Sequence, residues 1–273
     1  MSDMTATAPG GRDVEEDGLQ LGEELGSGGQ GRVSRVVGQS AGLVFKQYKT
    51  ADADPGALKM LVDFPLLLQP REREFLLDRS AWPLARVMRE DRVSGFLMRE
   101  IPENFYAPDG RGKMRARELT YLLYKPKPAW GKIARYDDTV RMRVEIAMQF
   151  ARLVRLLHAR SLVVGDVSMN NLLWVPGDPA SVFLIDCDTI RQLGSPPVLS
   201  RADTPDWEDP LLPTGGHDLY SDRYKLALLV GRVLTRSPYL RPGEELKFVR
   251  GLPDSIADKV RETLGFSPSV LNR

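Results

Sequence analysis

The chain has 273 residues, 42% of them hydrophobic, which is enough for one large domain or two small lobes around a buried core. Its 38 basic and 37 acidic side chains leave a net charge of +1, so nothing in the charge balance draws it to nucleic acid or an anionic membrane. One cysteine, Cys187, excludes an intrachain disulfide and suits a reducing cytosol, and two histidines offer little for a structural zinc site.

The first 18 residues, MSDMTATAPGGRDVEEDG, are polar and acidic with no apolar core, so residues 1–18 read as a flexible tail and not a signal peptide. From Leu19 to Lys49, the segments LQLGEEL, RVSRVV and GLVFKQY are separated by glycine-rich punctuation and predict β-strands. Residues 52–79 predict helix in two pieces split near Pro65 and Pro70, with Pro70 in the first turn of the second. ARVMRE and SGFLMREI predict two short strands joined by a turn at Asp91–Ser94. Residues 102–137, rich in Pro, Gly and Lys/Arg, read as a linker and insertion. A long helix follows over 139–160, where Val140, Val144, Ala147, Ala151, Val154 and Leu157 recur at helical spacing and Asp137 or Asp138 can cap the start. SLVVGD, NLLWV and VFLID predict short buried strands, and residues 219–235 and 254–264 two more helices. No apolar run reaches the roughly 20 residues that span a bilayer. The order is a β-rich half, a linker and a helix-rich half, which predicts two lobes with a ligand cleft at their junction.

Four stretches carry chemistry. The first, Gly26-Ser27-Gly28-Gly29-Gln30-Gly31-Arg32-Val33, sits between two predicted strands. Glycines let a backbone approach phosphate oxygens without Cβ clashes. By itself the pattern also describes a flexible hairpin turn. A strand follows it where a dinucleotide fold needs a helix, and no Lys-Ser/Thr follows its last glycine as a Walker loop requires. In the second stretch, strand alternation puts Val44, Lys46 and Tyr48 on one face, and a lysine there can reach nucleotide phosphates or simply edge into solvent. The third is Val164-Gly165-Asp166-Val167-Ser168-Met169-Asn170-Asn171, where a carboxylate and an amide share one loop: the carboxylate can orient a hydroxyl proton and the amide oxygen can bind a metal. An Asx turn between strands is the alternative. In the fourth, Phe183-Leu184-Ile185-Asp186-Cys187-Asp188, an acid directly after an apolar strand is placed for magnesium or ends a strand.

Taken in order, the glycine loop, the lysine, Asp-x4-Asn and a later Asp resemble the protein kinase family, in a bacterial branch of the eukaryotic-like (Hanks) type. The resemblance runs from about Leu21 to Arg273 and includes Ala81-Trp82-Pro83, a Gly-Asp catalytic loop and Ile-Asp-Cys-Asp. It implies an α+β bilobal fold: a small antiparallel β-sheet N-lobe with a helix over 19–101, and a mostly helical C-lobe with hinge and insertion over 102–273. The chain stops at Asn272-Arg273, where the family would add a final helix, and so resembles a kinase module cut from a longer protein. The resemblance implies a cytoplasmic, ATP-dependent serine/threonine kinase that uses Mg2+ and acts on a protein substrate. Asp166 and Lys46 would be catalytic. Leu25, Gly26, Ser27, Gly28, Gly29, Gln30, Gly31, Val33, Val44 and Lys46 would bind ATP, with Met98, Arg99, Glu100 and Ile101 at the adenine. Asn171 and Asp186 would bind the metal. Thr204–Pro210 resembles the end of an activation segment, and Asp222 the buried aspartate that anchors a catalytic loop.

The sequence departs from the family at several positions. Val164-Gly165 replace His-Arg, so activity is expected not to depend strictly on activation-loop phosphorylation. Ser168 stands where a lysine is usual, Cys187-Asp188 replace Phe-Gly, and Leu211 replaces a glutamate. The acid partner of Lys46 is expected among Glu72, Glu74 and Asp63. Two other functions stay open, a nucleotide-binding pseudokinase and a small-molecule phosphotransferase, whose Gly-Asp-x4-Asn loop is similar. His158 reads as a helix-end residue favoured by the dipole, residues 111–135 as a solvated basic stretch, and Trp82, Trp174, Trp207 and Cys187 as buried packing.

Overall fold

The structure is a computed structural model and describes residues 13–38, 42–200, 204–212 and 216–264. The chain is α+β and divides into two units. The first takes the described residues up to Ile101 and those from Asp186 to 200; the second takes Pro102–Ile185 and the described residues after 203.

The first unit is built on one mixed six-stranded sheet. Its strands are β1 (Val14–Glu15), β2 (Leu21–Ser27), β3 (Gly31–Val36), β4 (Leu43–Tyr48), β5 (Ala85–Arg89) and β6 (Arg92–Arg99), in the order β1-β5-β6-β4-β3-β2. The expected small antiparallel sheet is corrected at one edge: β1 runs parallel to β5, with Val14 opposite Val87. The reading of 1–18 as a tail is corrected for residues 14–18, which form β1 and a 3₁₀ turn at Glu16–Gly18, while 1–12 lie outside the described residues. The cause is one apolar residue and its charged neighbours. Val14 packs on a core of Val36, Phe45, Ala85, Val87 and Leu97, while Asp13 pairs with Arg86 and Glu16 with Arg89. Glu90 and Asp91 close the β5–β6 hairpin with φ of 49° and 59°, the left-handed backbone that a two-residue hairpin loop favours. The turn therefore begins one residue before its expected place.

Between β4 and β5 run α1 (Pro55–Asp63), a 3₁₀ turn (Phe64–Leu67) and α2 (Pro70–Leu77), split at the two prolines as predicted. Asp54 caps α1 by accepting from the N–H groups of Gly56 and Ala57, with Pro55 in the first turn. Pro70 opens α2, where Gln69 and Glu72 form a reciprocal cap. Trp82 is buried, and its indole N–H donates to the Leu61 carbonyl at 2.7 Å, joining the end of α1 to the approach to β5.

In the second unit the expected linker over 102–137 is ordered structure. Strands β7 (Tyr106–Pro108) and β8 (Met114–Ala116) pair as a hairpin, followed by α3 (Thr120–Leu123) and a 3₁₀ segment at Pro128–Ala134. Ala107, Ile133 and Ala134 form a small core with Tyr121 and Trp130 against it. These apolar residues are too scattered in sequence to show a period. Helix α4 (Val140–His158) buries Met142, Ile146, Phe150, Leu153 and Leu157. Its cap is Thr139, which accepts from Met142 N, and not Asp137 or Asp138; the Asp138 carboxylate is taken by buried Arg143 at 2.6 Å. Strand β9 (Leu162–Val163) leads into the Asp166 loop, and β10 (Leu172–Val175) pairs antiparallel with β11 (Ser181–Leu184). Helix α5 (Leu219–Thr235) lies against α4 and against α6 (Asp254–Leu264), both helices where the periodicity places them. Among the described residues no helix is long and apolar enough to cross a membrane.

Candidate functional site

In the first unit the glycine stretch is the tip of the β2–β3 hairpin. Gly26 pairs with Val33 and Ser27 with Arg32, leaving Gly28, Gly29 and Gln30 as a three-residue loop. Gly28 N donates to Gly31 O at 2.9 Å, Lys49 N to Gln30 O at 2.9 Å, and Lys49 Nζ to Gly28 O at 2.6 Å. A Cβ placed on Gly26, Gly28 or Gly29 would meet nothing within 4 Å, so this backbone faces open space. Gly31 differs: a Cβ there would lie 2.6 Å from the Gln47 carbonyl oxygen, so this glycine is set by the close approach of β4. A pocket of about 270 Å³ is lined by Gly26, Ser27, Gly28, Gly29, Gln30, Gly31, Val33, Lys46 and Asp186. One wall is bare glycine backbone and the other is an ion pair.

That pair brings together residues 140 apart in sequence. Lys46 is buried on β4, and its Nζ lies 2.7 Å from Asp188 Oδ1, 3.2 Å from Asp186 Oδ1 and 5.7 Å from the centre of the Phe96 ring. Burial alone would lower the lysine pKa, but Asp188 and Asp186 outweigh it, and the ammonium is held above its ordinary value. The expected partners are corrected. Asp63 pairs with Lys59 one helical turn away, Glu72 turns back to the Gln69 N–H at its own helix start, and Glu74 is not the partner either. Helix α2 uses its first-turn acid on its own N-terminus, whereas the Asp-Cys-Asp turn carries two acids to the lysine.

Asp186 makes this possible by adopting the left-handed conformation, φ 55° and ψ 43°, at the start of a 3₁₀ turn over Cys187–Thr189. Thr189 closes the turn by donating both N–H and Oγ1 to the Asp186 carbonyl. The two acids differ in exposure: the Asp188 side chain is 2% exposed and that of Asp186 is 32%. Cys187 is buried between them, and burial, followed by the charges of Asp188 and Asp186, pushes its thiol pKa well up. Burial and then Asp188 also raise the Tyr48 phenol.

Six expected nucleotide contacts do not line this pocket: Leu25, Val44, Met98, Arg99, Glu100 and Ile101. Leu25 lies on exposed β2, and Val44 is buried within the sheet opposite Met98. Arg99 faces Asp78, while Glu100 holds Arg35 at 2.5 Å and donates its own N–H to the Gly42 carbonyl.

In the second unit the Asp166 loop is fixed from several sides. Asn171 Nδ2 donates to Asp166 Oδ2 at 2.8 Å and to the Asp166 carbonyl at 2.9 Å, which leaves Oδ1 as the remaining acceptor of the amide. Thr204 Oγ1 donates to the other carboxylate oxygen of Asp166 at 2.9 Å. Below the loop Asp222, fully buried, accepts from Val164 N at 2.6 Å and Gly165 N at 2.9 Å, and it lies 2.9 Å from His158 Nε2. Lys225 Nζ donates to the Gly165 carbonyl at 2.8 Å. Gly165 has φ +81°, a backbone that favours glycine at the bend before the aspartate. Ile185 N donates to the Asn171 carbonyl, tying the end of β11 to the same loop. Ser168 Oγ is buried with no hydrogen-bond partner among the described residues. The Thr204–Pro210 segment is held by Arg232, which donates to the Asp206 carbonyl at 2.7 Å and lies 4.4 Å from the centre of the buried Trp207 ring.

Of the residues singled out in the sequence, the structure brings the glycine loop, Lys46 and Asp186 to one pocket in the first unit, and Asp166, Asn171 and Asp222 to one loop in the second. Sequence reasoning missed Asp188 as a lysine partner, Thr204 as a partner of Asp166, and Lys225. It also placed His158 at a helix end without its aspartate. The repeat of Asp at alternate positions around Cys187 was the available signal for Asp188. Taken unit by unit, the Asp186 carboxylate in the first and Asn171 Oδ1 in the second are each an oxygen donor of the kind a hard cation takes. Among the described residues no group of three or more His, Cys, Asp and Glu forms a metal cage. No protein-family model matches the chain, and no curated protein matches it.

Proposed function

We propose that the chain is an ATP-dependent protein kinase, of bilobal protein-kinase-like fold, that transfers the γ-phosphate to Ser or Thr hydroxyls of a protein substrate in the cytoplasm. The observation that carries this reading is the meeting of Lys46 and Asp186 at an open glycine loop, in a pocket of about 270 Å³. Backbone around Gly28 and Gly29 would cradle phosphate oxygens, and Lys46 would meet them as a point charge. Asp166 would accept or orient the substrate hydroxyl proton, its carboxylate fixed by Asn171 and Thr204. Asp186 and Asn171 Oδ1 would hold magnesium, which when bound neutralises phosphate charge. Catalysis then rests on positioning and electrostatics more than on covalent chemistry.

One observation favours a second reading, a nucleotide-binding pseudokinase: Ser168 leaves a neutral hydroxyl, unpartnered among the described residues, two residues after Asp166. The test is to incubate the pure chain with labelled ATP and magnesium, alone, with mixed protein acceptors and with small alcohols. Label on protein is expected. ATP binding without transfer would support the pseudokinase, and label on small alcohols alone would make the chain a small-molecule phosphotransferase.

A further inference from the structure

The lysine of the pocket has two acid partners that differ in exposure and in bond length. We propose that Asp188 is a positioning residue that holds Lys46 whether or not a metal is present, while Asp186 is the exchangeable partner that turns from the lysine to a divalent cation. This inference rests on the reading of the pocket as a nucleotide site.

The shorter contact, 2.7 Å, belongs to Asp188, whose side chain is 2% exposed. The longer one, 3.2 Å, belongs to Asp186, which is 32% exposed and lines the pocket, as Asp188 does not. A buried carboxylate against a buried ammonium has nowhere else to turn, because leaving either unpaired in that setting is costly. A carboxylate at the pocket wall can change partners, with water or a cation replacing the lysine. If Asp186 were the sole partner, drawing it to a cation would release Lys46 at the moment the lysine is needed. Asp188 removes that conflict. The turn makes both contacts part of one short element: Asp186 is left-handed, Thr189 closes back on its carbonyl, and the acids on either side of Cys187 converge on one Nζ. Both acids on the lysine come from this turn, and the first-turn acid of helix α2, Glu72, caps its own helix. The phenol of Tyr48, two residues along β4, borders the same carboxylate and reinforces the closed side of the site.

The experiment measures binding of a non-hydrolysable ATP analogue to the full chain, with magnesium and with chelator, for wild type and the Asp188→Asn, Asp186→Asn and Lys46→Met variants. Asp188→Asn is expected to weaken binding at least tenfold under both conditions, as Lys46→Met does. Asp186→Asn is expected to lose the gain from magnesium. Asp188→Glu is expected to restore part of the Asp188→Asn loss. An Asp188→Asn variant that binds as wild type, while Lys46→Met is weakened, overturns the inference and leaves the nucleotide site standing. A wild type that binds no nucleotide overturns both. Should Asp188→Asn fail to fold, the double variant Lys46→Met/Asp188→Asn decides: it removes the buried ammonium together with its buried carboxylate and is expected to fold, and a double variant that also fails to fold refutes the pairing.

Discussion

Asp166 has both carboxylate oxygens engaged, by Asn171 and by Thr204, and so keeps one orientation. Asp166→Asn keeps the shape and loses the basicity. It is expected to lower phosphate transfer by about 10²–10⁴-fold, the usual contribution of a general base, while ATP binding measured by equilibrium titration is unchanged. The glycines separate into two kinds. Gly31→Ala drives a Cβ to 2.6 Å from the Gln47 carbonyl and is expected to cost roughly 1–3 kcal/mol in denaturant titration. Gly29→Ala meets nothing within 4 Å; it is expected to leave the melting temperature unchanged and to weaken nucleotide binding by narrowing the pocket. Cys187 yields a pH prediction. Its raised thiol pKa keeps it protonated where an ordinary thiol, with a pKa of about 8.5, is half ionised. Alkylation of the native chain at that pH is expected to be slow and to become fast on denaturation, and a fast native reaction would contradict the burial.

At the scale of elements, the loop that carries Asp166 depends on α5. Asp222 receives two backbone N–H groups and faces His158, while Lys225 one turn later takes the Gly165 carbonyl. Asp222→Ala removes the carboxylate that accepts from both N–H groups and is expected to cost roughly 2–6 kcal/mol, at about 1–3 kcal/mol for each hydrogen bond lost to a buried charged acceptor. Denaturant titration checks this, and a loss below 1 kcal/mol would mean the loop is anchored elsewhere. Helix α4 offers a milder test: Thr139→Ala removes its cap and is expected to cost about 1 kcal/mol. Much at this scale was legible in the sequence, because proline positions and the 3.6-residue period are local signals. Pro70 marks a helix start, and α4, α5 and α6 fall on their apolar repeats. The expected cap of α4, Asp137 or Asp138, falls one or two residues before Thr139, because Asp138 is drawn to Arg143, a contact that spacing does not display.

At the scale of the whole molecule, what sequence does not reveal is pairing over distance. Strand β1 exists because Val14 meets Val87, and a two-residue strand beside a polar stretch has no period to detect. The hairpin of β7 and β8 is hidden for the same reason, inside a segment whose Pro, Gly and charged residues suggest a linker. The partner of Lys46 was sought on a helix within 30 residues, yet it lies 142 residues away on a turn. The candidate residues are shared between two units, with Lys46 and Asp186 in the first and Asp166 and Asn171 in the second, and the chain passes from one unit to the other after Ile101 and after Ile185. The central claim is that these four residues serve one phosphate transfer. Its most direct measurement is autophosphorylation of the pure chain with labelled ATP and magnesium, comparing wild type with Lys46→Ala and Asp166→Ala. The account predicts label on the wild type and none on either variant; label on either variant at the wild-type rate would contradict it.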